Sequence, residues 1–435
     1  MSNPVPGSTY IIQSRDTVSD IAARAYGNPA ERTRIINANG LADPDKIIAG
    51  QSLVIPLIPG ISVLTRQVSI QDDGFRLKIG NRVLPVLAGR VLRTMDTPAD
   101  GWSAVVAWDP GLDKEFDKLT QPFQYPDASV YLDGQLMISG KLYNVRNKFS
   151  GAGRTKELEG FSSTIDIVDS HLFPPYQYQN MTLVDFCREM FKITGIGIVI
   201  DSDIANDVEG IFKEEKINQS ETIFKFLERI ADKKAALLSS TREGDLLITR
   251  ANLKGATVGT IEEGKTAVET WEANFNGRKL FRTYRGVLKK KALGTNKTVV
   301  LTDVTVKTQR IRTFAINEGD EKDIERAVKW ERNKRFAEAM SFSMPGNSWY
   351  APDGKLWEEN SRILVKSQTF EVPEGFMFII RRVEFLFDDK GETAVLNIIP
   401  PSFYSKQEPV LPWVKKIVEI NVEELKTEIK LRGTR

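Results

Sequence analysis

Residues 128–142 read Ala128-Ser129-Val130-Tyr131-Leu132-Asp133-Gly134-Gln135-Leu136-Met137-Ile138-Ser139-Gly140-Lys141-Leu142. β-Branched and apolar residues flank Asp133-Gly134, and an Asp-Gly pair takes the two successive φ > 0 conformations that join adjacent strands. The stretch predicts a strand over 128–132 that turns back into a strand over 138–146. A further strand is expected at 156–161, and upstream ones at 75–79, 82–88 and 103–106. Short strands at near-regular spacing, punctuated by Gly and Asp, argue for a barrel or sandwich.

Downstream the pattern changes period. Apolar residues at 183, 186, 187, 190 and 191 predict a helix over 182–194, ended by Gly195-Ile196-Gly197, with a strand at 198–200. A second helix over 220–233 places Ile223, Phe226, Leu227 and Ile230 on one face, with Asn218 or Ser220 as its cap. Two strands, 235–239 and 245–249, follow. The last part is strand-rich again: 267–275, 282–288, 298–307 and 310–315. A polar helix over 321–340, stopped by Pro345-Gly346, then leads to strands at 362–365, 377–388 and 393–399, closed by Pro400-Pro401.

The first 56 residues form a separate unit. Residues 10–13 are a short strand; Asp16 or Thr17 caps a helix carrying Val18, Ile21, Ala22 and Ala25 on one face; Gly27-Asn28-Pro29 ends it. A second helix over 30–37 presents Ile35 and Ile36, Asn39-Gly40 turns the chain, and Gly50-Gln51 leads into strand 52–55 before Pro56. This β-α-α-β order resembles a LysM domain. The resemblance implies a groove for a glycan or a docking protein between two loops, with Ser14, Arg15, Asp16 and Thr17 on one and Leu41, Ala42 and Asp43 on the other. Arg15 stands where the family usually has glycine, which weighs against sugar binding.

Composition removes most catalytic classes. The chain has 435 residues, 41% hydrophobic and 27% charged, with a net charge of +2, so nothing marks a nucleic-acid coat. No run of eighteen apolar residues predicts a membrane helix, and the N-terminus lacks the pattern of a secretory signal. One cysteine, Cys187, and one histidine, His171, cannot supply a structural zinc site or an internal disulfide, which fits synthesis in a reducing host cytoplasm. Cys187 falls on the apolar stripe of its helix, and His171 reads as a turn or packing residue. No phosphate loop, dinucleotide fingerprint or nucleophile elbow occurs. No catalytic residue, cofactor or metal is expected, and the chain reads as a non-enzyme.

The order of elements over about residues 63–405 resembles the baseplate hub proteins of contractile-tailed bacteriophages and, more distantly, the VgrG hubs of type VI secretion. The 128–142 hairpin carries the resemblance, together with Leu158-Glu159-Gly160-Phe161-Ser162 running into Ile165-Asp166-Ile167-Val168-Asp169, the helices and hairpin of 181–250, and the segment from Gly354-Lys355-Leu356-Trp357 to Pro400-Pro401. Phe161 stands where the family commonly has arginine. The implied fold class is α+β, predominantly β: a small LysM domain (8–57), then two tube-like β-barrel domains (63–172 and 256–405) flanking a mixed helix–hairpin domain (173–255). A tail over 406–435 places Val414, Val418, Val422, Leu425 and Ile429 on one helical face for docking.

The family's hubs are homotrimers whose paired barrels make a pseudo-sixfold ring, joining a hexameric tail tube to a trimeric spike. The resemblance therefore implies as partners the tail tube protein, the spike, the sheath initiator or wedge proteins and the tape-measure protein in the lumen, within the virion. The LysM domain would dock to baseplate neighbours or to peptidoglycan. The competing readings are a peptidoglycan-binding cell-wall hydrolase and a hub of a related injection system.

Overall fold

A computed structural model describes residues 4, 8–26, 28–41, 43–56, 74–150, 153–172, 174–192, 194–218, 220–265, 270–288, 297–316, 321–346 and 348–405. The expected linker at 58–62, the tail at 406–435 and Ala42 lie outside these residues.

The N-terminal unit is the expected β-α-α-β. Strand Ser8–Ile11 pairs antiparallel with Ser52–Ile55, and helices Val18–Tyr26 and Arg32–Asn39 lie between them in sequence, the second preceded by a 3-10 turn at Pro29–Glu31. Tyr10, Ile21, Ile35, Leu53 and Ile55 close a small core of its own. Gly40 ends the second helix at φ +57, and the Asn39 side chain clamps the outer edge of the second strand, donating to the Val54 carbonyl (2.7 Å) and accepting from its N–H (2.7 Å).

The body is built on one sheet of 13 strands. From one end to the other the order is Glu272–Phe275, Met340–Pro345, Gly391–Ile399, Val372–Asp388, Ala88–Thr94, Gly101–Ala107, Gly153–Ser162, Gln135–Ser150, Asp127–Leu132, Phe75–Ile79 and Arg82–Pro85. Arg362–Ser367 branches off Val372–Asp388 and pairs in parallel with Thr257–Glu262. The Asp127–Leu132/Gln135–Ser150 hairpin turns through Asp133 (φ +46) and Gly134 (φ +72), as its sequence dictates. Asp133 then reaches beyond its own hairpin, accepting from the Gly74 N–H at 2.6 Å and the Tyr350 hydroxyl at 2.5 Å.

This sheet corrects the expectation of two separate barrels. Strands from 75–162 and from 257–399 are continuous through the pairing of Ala88–Thr94 with Val372–Asp388, and the path has two ends, so no closed barrel forms among the described residues. The two halves share one core, in which Phe75, Trp102, Trp349, Trp357, Phe378 and Phe385 are nearly or fully buried.

Val372–Asp388 is where the sheet forks. On one edge its first part, to Ile379, pairs with Arg362–Ser367; from Arg382 onward the same edge pairs with Ala88–Thr94. Its partner on the other edge, Gly391–Ile399, registers a bulge between Ile380 and Arg382, which leaves Arg381 as the extra residue.

The middle unit has its own core. Helices Leu183–Met190 and Ile223–Lys233 pack with Phe186, Cys187, Phe226, Leu227 and Ile230 fully buried, against the sheet of Ile198–Ile200, Leu246–Thr249 and Leu237–Ser240. A two-stranded pairing of Gln177–Met181 with Phe212–Lys216 was not foreseen. Thr182 and Asp185 form a capping box on the first helix; Thr222, rather than Asn218 or Ser220, caps the second, accepting from the Lys225 N–H. His171 is exposed and forms a bridge with Thr222.

Beside the main sheet, Thr283–Leu288 pairs with Lys297–Thr302 and Ile311–Ile316, and one face of this small sheet packs Tyr284, Leu288 and Ile316 on Ile324 and Val328 of helix Glu321–Ala339. That helix passes directly into strand Met340–Pro345, so Pro345-Gly346 ends a strand rather than the helix.

Candidate functional site

The LysM loops were the site expected from sequence. In the first loop Arg15 lies at φ +73, the left-handed region that glycine enters at least cost. Arg15 thus holds a backbone conformation that suits the glycine usual at this place, and its side chain is exposed. Asp16 fixes the turn: it accepts from the Gln13 N–H and from the Tyr10 hydroxyl, each at 2.8 Å, and pairs with Arg24. Burial opposes its ionisation, but the Gln13 N–H, the Tyr10 hydroxyl and the Arg24 guanidinium outweigh it and hold its carboxyl below the usual range. Thr17 accepts from the Asp20 N–H at 3.1 Å, so Thr17 is the helix cap and Asp16 the turn anchor.

Ser14 is exposed at the loop tip. In the second loop Leu41 packs against the small core, while Asp43 accepts from the Asp45 N–H (3.2 Å) and pairs with Lys46 at 2.9 Å. The bonds that tie the first loop to the rest run to the Gly50–Gln51 turn: Ile12 donates to Gln51 (2.9 Å) and Gly50 to Ile12 (2.8 Å).

Sequence reasoning missed a second locus, where the middle unit meets the main sheet. A cavity of about 630 Å³ there is bounded by Arg93, Ser239, Ser240, Arg242, Glu358 and Glu359. Arg93, 3% exposed, donates through Nε to both Glu359 carboxylate oxygens (3.0 Å each) and through Nη1 to the Met137 carbonyl (2.7 Å). Met137 is the extra residue of a bulge between Val130 and Tyr131 of the facing strand, which frees its carbonyl for Arg93.

Asp100 completes the cluster, 3.3 Å from Arg93, accepting from the Thr94 N–H (2.9 Å) and the Ser240 hydroxyl (2.6 Å). Burial pushes the Asp100 carboxyl up to about 7 against the pull of Arg93, with Glu359 adding repulsion. Glu359, also buried, is held low by the Arg93 guanidinium. Ser239 adds a bond to the Thr94 carbonyl at 2.8 Å.

A second polar cluster lies on the neighbouring turn. The bulged Arg381 sends its guanidinium to Asp96 (2.8 and 2.7 Å), which also accepts from Tyr404 (2.5 Å) and Thr94 (2.7 Å). Helix Glu321–Ala339 is joined to helix Ile223–Lys233 through Lys334 with Glu228 (2.7 Å) and Asp232 (3.3 Å), and through Trp330 with Asp232 (2.8 Å). These arrangements satisfy buried charge and fix orientation. Among the described residues no group of three or more His, Cys, Asp or Glu could hold a metal, and no helix is long and apolar enough to cross a membrane.

Comparison with known proteins agrees with the two-part reading. Residues 10–56 match the LysM domain family, and residues 164–250 match the family described as baseplate hub protein gp44-like, second domain. The baseplate hub protein gp44 of Escherichia phage Mu is 19% identical over 285 residues, spanning 62% of this chain and 74% of that protein. Two solved structures share the fold. One is the 43 kDa tail protein of prophage MuSo2 from Shewanella oneidensis (TM-score 0.65, 21% identity, 77% of this chain and 100% of that one). The other is a tail protein from Neisseria meningitidis MC58 (TM-score 0.66, 16% identity, 77% and 99%). Residues 10–56 are thus similar to LysM domains and residues 164–250 to the second domain of gp44-like baseplate hubs, in line with the resemblance read from the sequence.

Proposed function

We propose that this chain is the structural hub of a contractile-tail baseplate, a homotrimeric, pseudo-sixfold adaptor between a hexameric tail tube and a trimeric spike. The observation that carries the reading is the fusion of two strand-rich halves into one sheet by Ala88–Thr94 and Val372–Asp388. A subunit with two such halves presents six related units when three copies assemble, which reconciles six-fold and three-fold neighbours. The sheath initiator or wedge proteins would lie at the periphery and the tape-measure protein in the lumen. The chain would act in the virion after synthesis in the host cytoplasm.

The LysM loops, through Ser14, Arg15, Asp16, Thr17, Leu41 and Asp43, would dock a baseplate neighbour. The exposed Arg15 favours a protein surface over a neutral glycan. No enzymatic role is assigned, because the described polar clusters are spent on orientation.

Light scattering on the purified chain tests the reading. A mass near three times 48.9 kDa, with ring-shaped particles in electron micrographs, is expected. A chain that neither trimerises alone nor assembles with its spike would overturn it, as would clearing of a peptidoglycan zymogram overturn the non-enzymatic assignment.

A further inference from the structure

The middle unit and the main sheet face each other across a wedge. In the sheet of Ile198–Ile200, Leu246–Thr249 and Leu237–Ser240, the side chains of Leu238, Leu246 and Ile248 turn to the unit's own helices. Val199, Leu247 and Ser239 form one row on the opposite face. With Arg93, Met95 and Leu136 from the side of the main sheet they line the cavity of about 630 Å³. Strand Leu237–Ser240 closes the wedge in two different ways. At its first end Leu237, with Ala235 before it, packs into the core of the main sheet. At its last end the closure is polar: Ser239 donates to the Thr94 carbonyl (2.8 Å) and Ser240 to Asp100 (2.6 Å).

The polar end carries an unbalanced charge. The side chains of Arg93, Asp100 and Glu359 are 3%, 0% and 9% exposed, one guanidinium between two carboxylates. The charged groups around them do not redress the balance. Glu358 pairs with Arg242 at 3.3 Å, and Asp96, on the same turn as Asp100, pairs with Arg381 at 2.7 Å and accepts from Tyr404. Asp201, Glu243 and Asp245, across the cavity, add charge of the same sign. A net charge held out of water is costly, and a single proton removes it. Glu359 takes both Nε bonds of Arg93, while Asp100 stands 3.3 Å from that guanidinium, so Asp100 is the place for the proton. Its 2.6 Å contact with Ser240 is kept when the carboxyl, rather than the hydroxyl, donates.

We propose that this end of the junction is a proton-operated latch: with one proton on Asp100, the cluster of Arg93, Asp100 and Glu359 holds Ser239 and Ser240 against the Thr94–Asp100 turn, and loss of that proton lets them lift and admits water to the base of the cavity. Ala235 and Leu237 are the pivot, aided by the bonds of Lys334 and Trp330 between helices Glu321–Ala339 and Ile223–Lys233. Ser162 and Thr164, where the chain enters the middle unit, both donate to the Pro98 carbonyl, so the movement is a local widening and not a swing of the whole unit. Burial pushes the Asp100 carboxyl up to about 7 against an ordinary 3.8, so the closed latch is fully favoured below the lower value and released as pH rises through the higher. Between pH 5 and pH 8.5 the ratio of open to closed latch therefore rises roughly hundredfold. Every group lies within one copy, so the latch does not depend on how the hub assembles.

Methionine oxidation in the full-length chain tests the latch, because hydrogen peroxide attacks a thioether without a proton step that would make the chemistry itself pH-dependent in this range. Met95 lines the cavity and is 1% exposed. Met190 in the core of the middle unit and Met344 in that of the main sheet, 5% and 0% exposed, are the controls. Mass spectrometry of the digested protein is expected to show Met95 oxidised faster at pH 8.5 than at pH 5 by about that factor, with Met190 and Met344 unchanged. Asp100→Asn, neutral at both values, should abolish the rise. Glu359→Gln should abolish it too, since Arg93 then balances an ionised Asp100, and this variant carries the test if circular dichroism shows that Asp100→Asn does not fold. A Met95 rate equal at the two pH values, a rise that persists in both variants, or a rise shared by all three methionines overturns the latch.

Discussion

Arg93 and Glu359, 266 positions apart in sequence, meet in a bidentate pair with both Nε–O distances at 3.0 Å, and the same arginine donates to carbonyls of Met137 and Ser240. One side chain thus joins both halves of the main sheet to the middle unit. Removing one partner leaves a buried charge without compensation, which costs about 3–5 kcal/mol. Arg93→Met is expected to lower the denaturation midpoint accordingly, and Glu359→Gln to cost less, because the amide oxygen still accepts from Arg93. Equal losses in the two variants would mean that shape rather than charge holds the junction.

Asp100 gives this junction a pH dependence. Its carboxyl lies at about 7 in the folded chain against an ordinary 3.8, so the folded state holds a proton that the unfolded state has released over that interval. Its contribution to stability is full below the unfolded value and falls as pH rises towards 7. Asp100→Asn, which keeps the shape and the acceptor, should flatten that slope when unfolding midpoints are compared at pH 5 and pH 7. An unaltered slope would place the titration elsewhere.

Arg15 occupies a left-handed backbone conformation without being glycine. Arg15→Gly relieves that strain and is expected to stabilise the LysM unit by about 1 kcal/mol, seen as slower hydrogen exchange at its core amides Ile21 and Leu53 in the intact chain. Faster exchange would show that the Arg15 side chain contributes more than its backbone costs.

Gly140 lies where two strands come closest. A Cβ there would stand 1.9 Å from the Phe161 carbonyl oxygen and 2.8 Å from the backbone carbon of Ser162. Neither neighbour is a movable side-chain end, so Gly140→Ala should cost about 3 kcal/mol. Gly111→Ala, with open space around its Cβ, separates this steric effect from left-handed strain at φ +83 and should cost only about 1 kcal/mol. Chemical denaturation of both variants measures the difference.

Cys187 is fully buried among Leu183, Phe186 and Phe226, and burial raises its thiol well above the ordinary range. It should resist a thiol reagent in the native chain at neutral pH and react stoichiometrically once unfolded. Rapid labelling of the folded protein would show that the middle unit opens readily.

What was legible in the sequence was local. The Asp133-Gly134 turn, the strand at 75–79, the helices of the middle unit and the LysM order follow from signals within a few residues of one another. The pairing of Ala88–Thr94 with Val372–Asp388 rests on partners nearly 300 positions apart and leaves no local trace, so two barrels were expected where one sheet exists. Strand Met340–Pro345 was hidden because it follows the helix without a turn, and Pro345-Gly346 read as the helix stop. Arg93, Asp100 and Glu359 look like ordinary charged residues in sequence; only the fold, with Met137 freed by a bulge, makes them a cluster. The order of elements places Asp16 and Thr17 together at the start of the first helix, but their separate tasks, turn anchor and helix cap, emerged only with the hydrogen bonds.

The fork in Val372–Asp388 has a mechanical consequence. A strand bonded along one edge first to Arg362–Ser367 and then to Ala88–Thr94 receives any push on either segment as shear, which many parallel hydrogen bonds resist together. At the bend between them, Arg381 is fastened to Asp96, which Tyr404 holds in turn, so flexing at that point works against a partly buried ionic contact. The two halves are therefore expected to move as one stiff lever rather than as beads on a thread, passing a displacement from one to the other.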